Sequence, residues 1–189
     1  VHHALPAKSH LMGWSLGGHT ALALAAKYPA RVSKLITICC TPRFVEGDGW
    51  THGKPRAVLA DFARRLSTNY AATIRNFLAL QALNQPHMRE VIRTLQQAVG
   101  AHGEPAPAAL AASLEILATS DLRAAIPTIE HPALVVQGTH DALTSPDTAA
   151  WLARTLPNAK PCLMQSAAHA PFLSHREEFL AHVTNFLDA

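Results

Sequence analysis

The sequence is poor in charge of either sign. Lys, Arg, Asp and Glu make up 15% of its 189 residues, against about 25% in ordinary globular chains. The formal net charge is only +3, too small an excess to imply a nucleic-acid surface. Long apolar runs are missing as well. No stretch reaches the roughly 18 residues of a membrane-crossing helix, so no membrane span is expected. Cysteine is scarce, with three in the chain. Cys39 and Cys40 are adjacent in one apolar run and Cys162 lies in another, which gives neither a metal-site spacing nor a disulfide framework. The expectation is a reducing compartment, the cytoplasm. Internal repeats and low-complexity tracts are also absent. Apolar residues are abundant, at 49%. That proportion excludes a disordered chain and suffices for the core of one domain.

The apolar pattern changes character twice. "KSHLMGWS" reads as a short strand ending at a glycine turn, and Leu16 to Tyr28 as a helix stopped by Pro29. Val32–Cys40 is a continuous β-branched run, the mark of a buried parallel strand. Beyond Thr41-Pro42 the strand rhythm stops. "GDGWTHGKP" reads as a loop, followed by helical patterns over Arg56–Leu66, Thr68–Leu83, His87–Val99 and Ala108–Leu117. The strand rhythm then returns. "HPALVVQGTHD" is a strand and polar loop, Asp147–Leu156 a helix with Ser145 or Asp147 as its cap, "AKPCLMQSAAHAPF" a strand and loop, and Ser174–Leu187 a closing helix. The predicted organisation is an α/β core over residues 1–42 and 120–189, interrupted by an all-helical insertion over 43–119.

Between the first strand and first helix stands Gly13-Trp14-Ser15-Leu16-Gly17. Gly-x-Ser-x-Gly in that position is the nucleophile elbow. The turn strains the serine backbone and demands small neighbours two residues away, hence Gly13 and Gly17. It lifts the Ser15 hydroxyl above the carboxyl ends of the strands and aims the Leu16 N–H at the same space, where it can donate to a developing oxyanion. Trp14, beside the nucleophile, either walls the pocket or packs under the sheet.

A serine hydroxyl needs a base, and on this arrangement the order is Ser, acid, His. Of twelve histidines, His169 in "SAAHAPF" follows the last strand. His175 and His182 fall on the closing helix, and His140 precedes the candidate acid. Asp141 in "GTHDALTSP" follows the preceding strand and is the expected acid. Asp147 reads as a helix-start residue and Asp121 as structural.

The Ser15, Asp141 and His169 constellation resembles the α/β-hydrolase fold. "GWSLGG", "FLALQ", "SLEILATSDLR" and "AAHAPFLSH" resemble, more closely, the family of pimeloyl-[acyl-carrier protein] methyl ester esterases of biotin synthesis. The resemblance runs over essentially the whole chain. It implies Ser15 as nucleophile, Asp141 as acid, His169 as base and Leu16 as an oxyanion-hole donor. It places Phe77, Leu78, Ala79, Leu80 and Gln81 on the lid segment that contacts the acyl chain, with Trp14, Leu16 and His169 also expected at the substrate. It assigns Arg89 and Arg93 to docking of the acidic carrier protein. Two further lid arginines of the family fall on Ala72 and Asn76, with Arg75 beside the latter. The family also begins with further strands and a His-Gly loop that supplies a second oxyanion donor and a tryptophan. This sequence opens at Val1, just before the nucleophile strand. The expectation is a sheet lacking those strands and, since one oxyanion donor is worth about 2.7–4 kcal/mol, a polypeptide of low activity by itself.

The residues themselves agree with a lid. Phe77, Leu78, Leu80, Ala82 and Leu83 supply more apolar surface than one helical stripe needs, although buried packing explains them equally well. Arg89 and Arg93, four apart, share a helix face and could clamp phosphate or carboxylates, or form an ordinary solvated face. The expected reaction is ester hydrolysis without metal or organic cofactor, by a monomer acting on a carrier-bound acyl chain. Two alternatives stand beside it. One is a broad-specificity short-chain esterase, thioesterase or carbon–carbon bond hydrolase on the same scaffold, and the other is a non-catalytic acyl-carrier-binding module. A serine at position 15 argues against haloalkane dehalogenases and epoxide hydrolases, which place a carboxylate there.

Overall fold

The computed structural model describes residues 6–83, 85, 87–101 and 103–189. Four parallel strands form one sheet in the order β1 (Ser9–Trp14), β2 (Val32–Ile38), β3 (Ala133–Gly138), β4 (Ala159–Met164). Helix α1 (Leu16–Lys27) joins β1 to β2 and α6 (Pro146–Thr155) joins β3 to β4. Between β2 and β3 the chain makes α2 (Arg56–Thr68), α3 (Tyr70–Gln81), α4 (Met88–Gly100) and α5 (Pro107–Thr119). A short α7 (Pro171–Ser174) and α8 (Arg176–Asp188) close it. No helix among the described residues is long and apolar enough to cross a membrane.

The central strands are apolar at almost every position because both faces of the sheet are covered, yet a period of two still sorts their side chains. Leu35, Ala133 and Val135 face α1 and α6, packing with Leu22, Ala25 and Leu152. Ile36, Ile38, Leu134 and Val136 point the other way, onto Phe179, Val183 and Phe186 of α8. A third, smaller core of Leu78, Ala82, Val91 and Leu95 holds α3 against α4.

The elements follow the sequence pattern closely, with two differences. The second strand ends at Ile38, not Cys40, because Cys39 turns into the left-handed region at φ 47°. The closing helix is divided at His175, which takes a non-helical conformation (φ −132°, ψ 49°). Its imidazole bonds the Ser174 hydroxyl at 2.9 Å. Ser145 caps α6, its hydroxyl accepting the Thr148 N–H at 3.2 Å. Asp147 sits in that helix's first turn.

Candidate active site

The nucleophile elbow forms at the carboxyl end of β1. Ser15 has φ 54° and ψ −120°, a conformation that costs about 1–3 kcal/mol in a non-glycine residue. The surrounding backbone holds it there: its N–H donates to Ile38 O at 2.9 Å and its carbonyl accepts the His19 N–H at 3.1 Å. Leu16 is the first residue of α1, so its N–H has no partner within the helix. A Cβ on Gly13 would meet Gly17 O at 2.3 Å and Gly18 N at 2.6 Å. Gly17 does not meet the steric expectation: a Cβ there has no neighbour within 4 Å among the described residues. The crowded partner is Gly18, whose added Cβ would lie 2.6 Å from Cys40 Cβ and 2.9 Å from Gly13 O. The turn is tight along Gly13–Gly18, and Gly17 faces outward.

Asp141 and His169 meet across 28 residues. The imidazole Nδ1–H donates to Asp141 Oδ2 at 2.8 Å, with the two side chains 0–1% exposed. Oδ2 also accepts from the Thr144 hydroxyl at 2.7 Å and Gln137 Nε2 at 2.9 Å. Oδ1 accepts the N–H groups of Leu143 at 2.8 Å and Thr144 at 3.1 Å. Burial pushes the Asp141 carboxyl up, but the bond from His169, the imidazole's charge and the donors from Thr144 and Leu143 outweigh it and hold the group below the ordinary carboxylate value. An ionised Asp141 fixes the proton on Nδ1 and leaves Nε2 with its lone pair. Nε2 is buried and makes no hydrogen bond among the described residues, the Ser15 hydroxyl included. Trp14, next to Ser15 in the chain, reaches the His169 loop: its indole Nε1–H donates to His169 O at 2.7 Å. The rings of Trp14 and His169 have centroids 5.6 Å apart.

Ser15 and Leu16 open into a narrow cavity lined also by His19, Cys40, Thr41, Phe44, Ile116, Leu117 and Thr144. Its free space is about 20 Å³, room for about one water. Of the segment expected to contact an acyl chain, Leu78 and Gln81 are buried, Phe77 and Ala79 half-buried and Leu80 exposed. Leu78 belongs to the α3–α4 core, and Phe77 stacks obliquely on Phe62 of α2 with centroids 5.1 Å apart. The insertion wall at the cavity comes instead from Ile116 and Leu117 of α5. Arg89 and Arg93 are both exposed on α4, as are Arg75 and Asn76 on α3, with Ala72 half-buried.

The other candidates sort by their contacts. Asp121 binds Arg43 and Arg123 at 2.7–2.8 Å. His140 and His182 are exposed, and His175 is half-buried. The ligand atoms of Cys39, Asp141 and His169 lie within 4.8 Å of one another. Both Asp141 oxygens are already taken by donors, however, and burial, with Asp141 nearby, raises the Cys39 thiol well above its ordinary value. A metal would need the thiolate, so the donor set fits a neutral thiol beneath an acid–base pair.

Gln137, Thr144 and His19 were not singled out by the sequence, and Ile116 and Leu117 of α5 entered it only within the "SLEILATSDLR" resemblance, with no role at the site. Each acts through a contact made only on folding. Gln137 lies in an apolar strand run and is 1% exposed. The one available hint is a polar amide inside such a run, since burying it demands partners.

Comparison with known proteins identifies the fold and the family. The family model described as the alpha/beta hydrolase fold matches residues 3–176. A pimeloyl-[acyl-carrier protein] methyl ester esterase of Stenotrophomonas maltophilia is 41% identical over 94% of this chain and 68% of its own length. Enzymes of the same name from Aliivibrio fischeri and Nitrosomonas europaea are 38% and 37% identical, over 97% and 94% of the chain and 71% and 70% of their own lengths. Among solved structures, an esterase from Exiguobacterium antarcticum superposes with a TM-score of 0.85 at 22% identity, covering 95% of this chain and 66% of that one. An enol-lactonase from Burkholderia xenovorans superposes at 0.82 with 23% identity, covering 97% and 66%. At such identities the structural matches establish the fold alone. With the elbow, the Asp141–His169 pair and these sequence identities together, the chain belongs to the α/β-hydrolase superfamily and, within it, to the family of pimeloyl-[acyl-carrier protein] methyl ester esterases.

Proposed function

We propose that this protein is a serine carboxylesterase that hydrolyses the methyl ester of a pimeloyl-type chain held on an acyl carrier protein. Ser15 is the nucleophile, His169 the base and Asp141 the acid. The observation that carries the reading is the buried imidazole with Nδ1 bonded to an ionised carboxylate and Nε2 bare, set against the residue that precedes a serine in a strained elbow. The substrate follows from the names of relatives 37–41% identical.

In the reaction, the Ser15 hydroxyl rotates to Nε2 and gives up its proton as Oγ attacks the ester carbonyl. The Leu16 N–H donates to the oxyanion from the positive end of α1. Nε2–H returns the proton to the departing methanol, leaving the acyl group on Ser15. Water, deprotonated by Nε2, then attacks the acyl-enzyme; Nε2–H returns that proton to Ser15 Oγ as its bond to the acyl carbon breaks, and the free carboxylate leaves with its carrier. No metal or organic cofactor takes part in these steps. The helices over 56–119 act as the lid. Ile116 and Leu117 on α5, at the Ser15 cavity, meet the acyl chain, and the exposed Arg89 and Arg93 of α4 meet the acidic carrier. The protein works as a monomer in the reducing cytoplasm.

The test compares hydrolysis of a carrier-bound pimeloyl methyl ester with that of a simple short-chain ester, with Ser15→Ala as control. Preference for the carrier-bound ester that is lost in the Ser15→Ala variant supports the assignment. Equal rates on both would make it a broad-specificity esterase, and no turnover together with no fluorophosphonate labelling would leave a carrier-binding module.

A further inference from the structure

We propose that Trp14 is a positioning residue for the catalytic base: it ties the His169 loop to the nucleophile strand and carries the packing of the α3–α4 insertion to the imidazole. The inference rests on the serine-hydrolase reading above and adds a residue to it.

Trp14 is covalently next to Ser15, yet its side chain turns away from the cavity that Ser15 opens into and reaches the loop after β4. There its indole N–H donates to His169 O at 2.7 Å, across 155 residues of sequence. The loop has no regular structure of its own, so its carbonyls need other partners. Ala167 O accepts the His140 N–H at 2.8 Å, and Ala170 O accepts Leu173 N–H at 3.0 Å. The Cys39 thiol donates to Ala168 O at 3.8 Å. The carbonyl of the base itself is held by Trp14.

Asp141 holds the imidazole at Nδ1, and the bonds to Ala167, Ala168 and Ala170 hold the loop to either side of His169. The indole holds the carbonyl of His169 itself, from the end opposite the Asp141 bond. Its ring lies obliquely against the imidazole at 5.6 Å and edge-on to Phe172 at 5.0 Å. The same indole packs on two separate cores. On one side is the α8 core with Cys162, Met164 and Phe179, and on the other the insertion core of Leu78, Ala82, Val91 and Leu95. One rigid side chain therefore touches the base, its backbone and the insertion. Any shift of α3 and α4 displaces the ring that sets where Nε2 stands relative to Ser15 Oγ. Misplacement of a base by about 1 Å costs up to ~100-fold in rate.

The experiment measures the rate at which a fluorophosphonate labels Ser15, as a function of pH, in the unaltered chain and in Trp14→Phe, Trp14→Leu and Val91→Ala. Trp14→Phe keeps an aromatic ring and removes the donor. It is expected to melt near the parent, label about tenfold more slowly and show a displaced pH midpoint. Val91→Ala, in the insertion core and remote from the chemistry, is expected to slow labelling about threefold in the parent and to add nothing in the Trp14→Leu background. Equal labelling rates and midpoints for Trp14→Phe and parent overturn the inference, as does simple additivity of Val91→Ala and Trp14→Leu. An unaltered chain that takes no label overturns the serine-hydrolase reading itself and the inference with it. A measurement free of variants and of activity is the Trp14 indole proton in the unaltered protein. Slow exchange with solvent supports the bond to His169, and exchange as fast as free indole removes it.

Discussion

Arg43 and Asp121 stand 78 residues apart in sequence and meet at 2.8 Å. They lie at the two ends of the helical insertion and staple them together. Arg43 also donates to Val45 O at 3.0 Å and to Asp48 Oδ2 at 2.8 Å. Arg123 grips Asp121 from the other side at 2.7 Å. His19 of α1 reinforces the staple, with Nδ1 3.0 Å from Thr41 O and Nε2 2.7 Å from the Ser120 hydroxyl. Replacing Arg43 with methionine leaves the Asp121 and Asp48 carboxylates without their shared cation. The expected cost is about 2–3 kcal/mol, a fall of roughly 5–10 °C in Tm for a domain of this size, measured by thermal unfolding at neutral pH.

The same staple sets an acid limit. Hydrogen bonds from Arg123 outweigh burial and, with Arg43, hold the Asp121 carboxyl far below its ordinary value; Asp141 is lowered by His169. Both carboxyls bind protons more readily in the unfolded chain, at about pH 3.9. Their contributions are therefore fully present above that pH and are lost as the pH falls through it towards the folded values. Urea midpoints are expected to decline gently below about pH 6.5, where burial holds the His19 and His131 imidazoles below their ordinary value and disfavours their charging, and to drop steeply below about 4. In Asp121→Asn the drop is shallower.

Substitutions at the elbow glycines are expected to differ. Gly13→Ala drives a Cβ into the Gly17 carbonyl and Gly18→Ala drives one into Cys40. Each is expected to cost about 3 kcal/mol. Gly17→Ala meets nothing within 4 Å among the described residues and lies in α1, where alanine is favoured over glycine by up to about 1 kcal/mol. Urea unfolding of the three variants checks the order, and a Gly17→Ala as damaged as Gly13→Ala contradicts it.

Ser15 separates function from stability. Ser15→Ala and Ser15→Gly both remove the proposed nucleophile and are expected to abolish fluorophosphonate labelling. Glycine takes φ 54° without the steric cost that alanine pays there, which more than offsets its greater loss of chain entropy. Ser15→Gly should unfold at roughly 1 kcal/mol higher stability than Ser15→Ala.

Asp141→Asn keeps the shape of the acid and removes its charge. Nδ1 then loses the acceptor that fixes the proton on it, and kcat is expected to fall about 10⁴-fold. Steady-state hydrolysis of a methyl ester, with KM followed separately, is the measurement.

The three thiols should be inert in the folded protein. Burial pushes Cys40 up to about 12 and Cys162 up to about 11, and Cys39 is raised well above its ordinary value. A disulfide reagent at neutral pH is expected to react slowly until denaturant is added, then with three thiols.

What the sequence determined by itself was local. A strand, Gly-x-Ser-x-Gly and a helix lie within about 20 contiguous residues, so the elbow was legible before folding. Helical periodicity located α2 to α5 within a residue or two, because α2, α3 and α4 each bury one stripe against a neighbour and α5 is bounded by its Pro-rich start and Ser-Asp end. Chain order singled out Asp141 and His169. Tertiary structure decided everything that depends on two distant segments meeting. It assigned crowding to Gly18 rather than Gly17, because Cys40 lies across from it. It turned Trp14 to the His169 carbonyl and surrounded Asp141 with Gln137 and Thr144. It placed Ile116 and Leu117 of α5 at the Ser15 cavity. Periodicity records which face of an element is buried. Which atoms cover that face is fixed only when the chain closes on itself, because an isolated donor or apolar side chain fits many partners equally well and packing selects one.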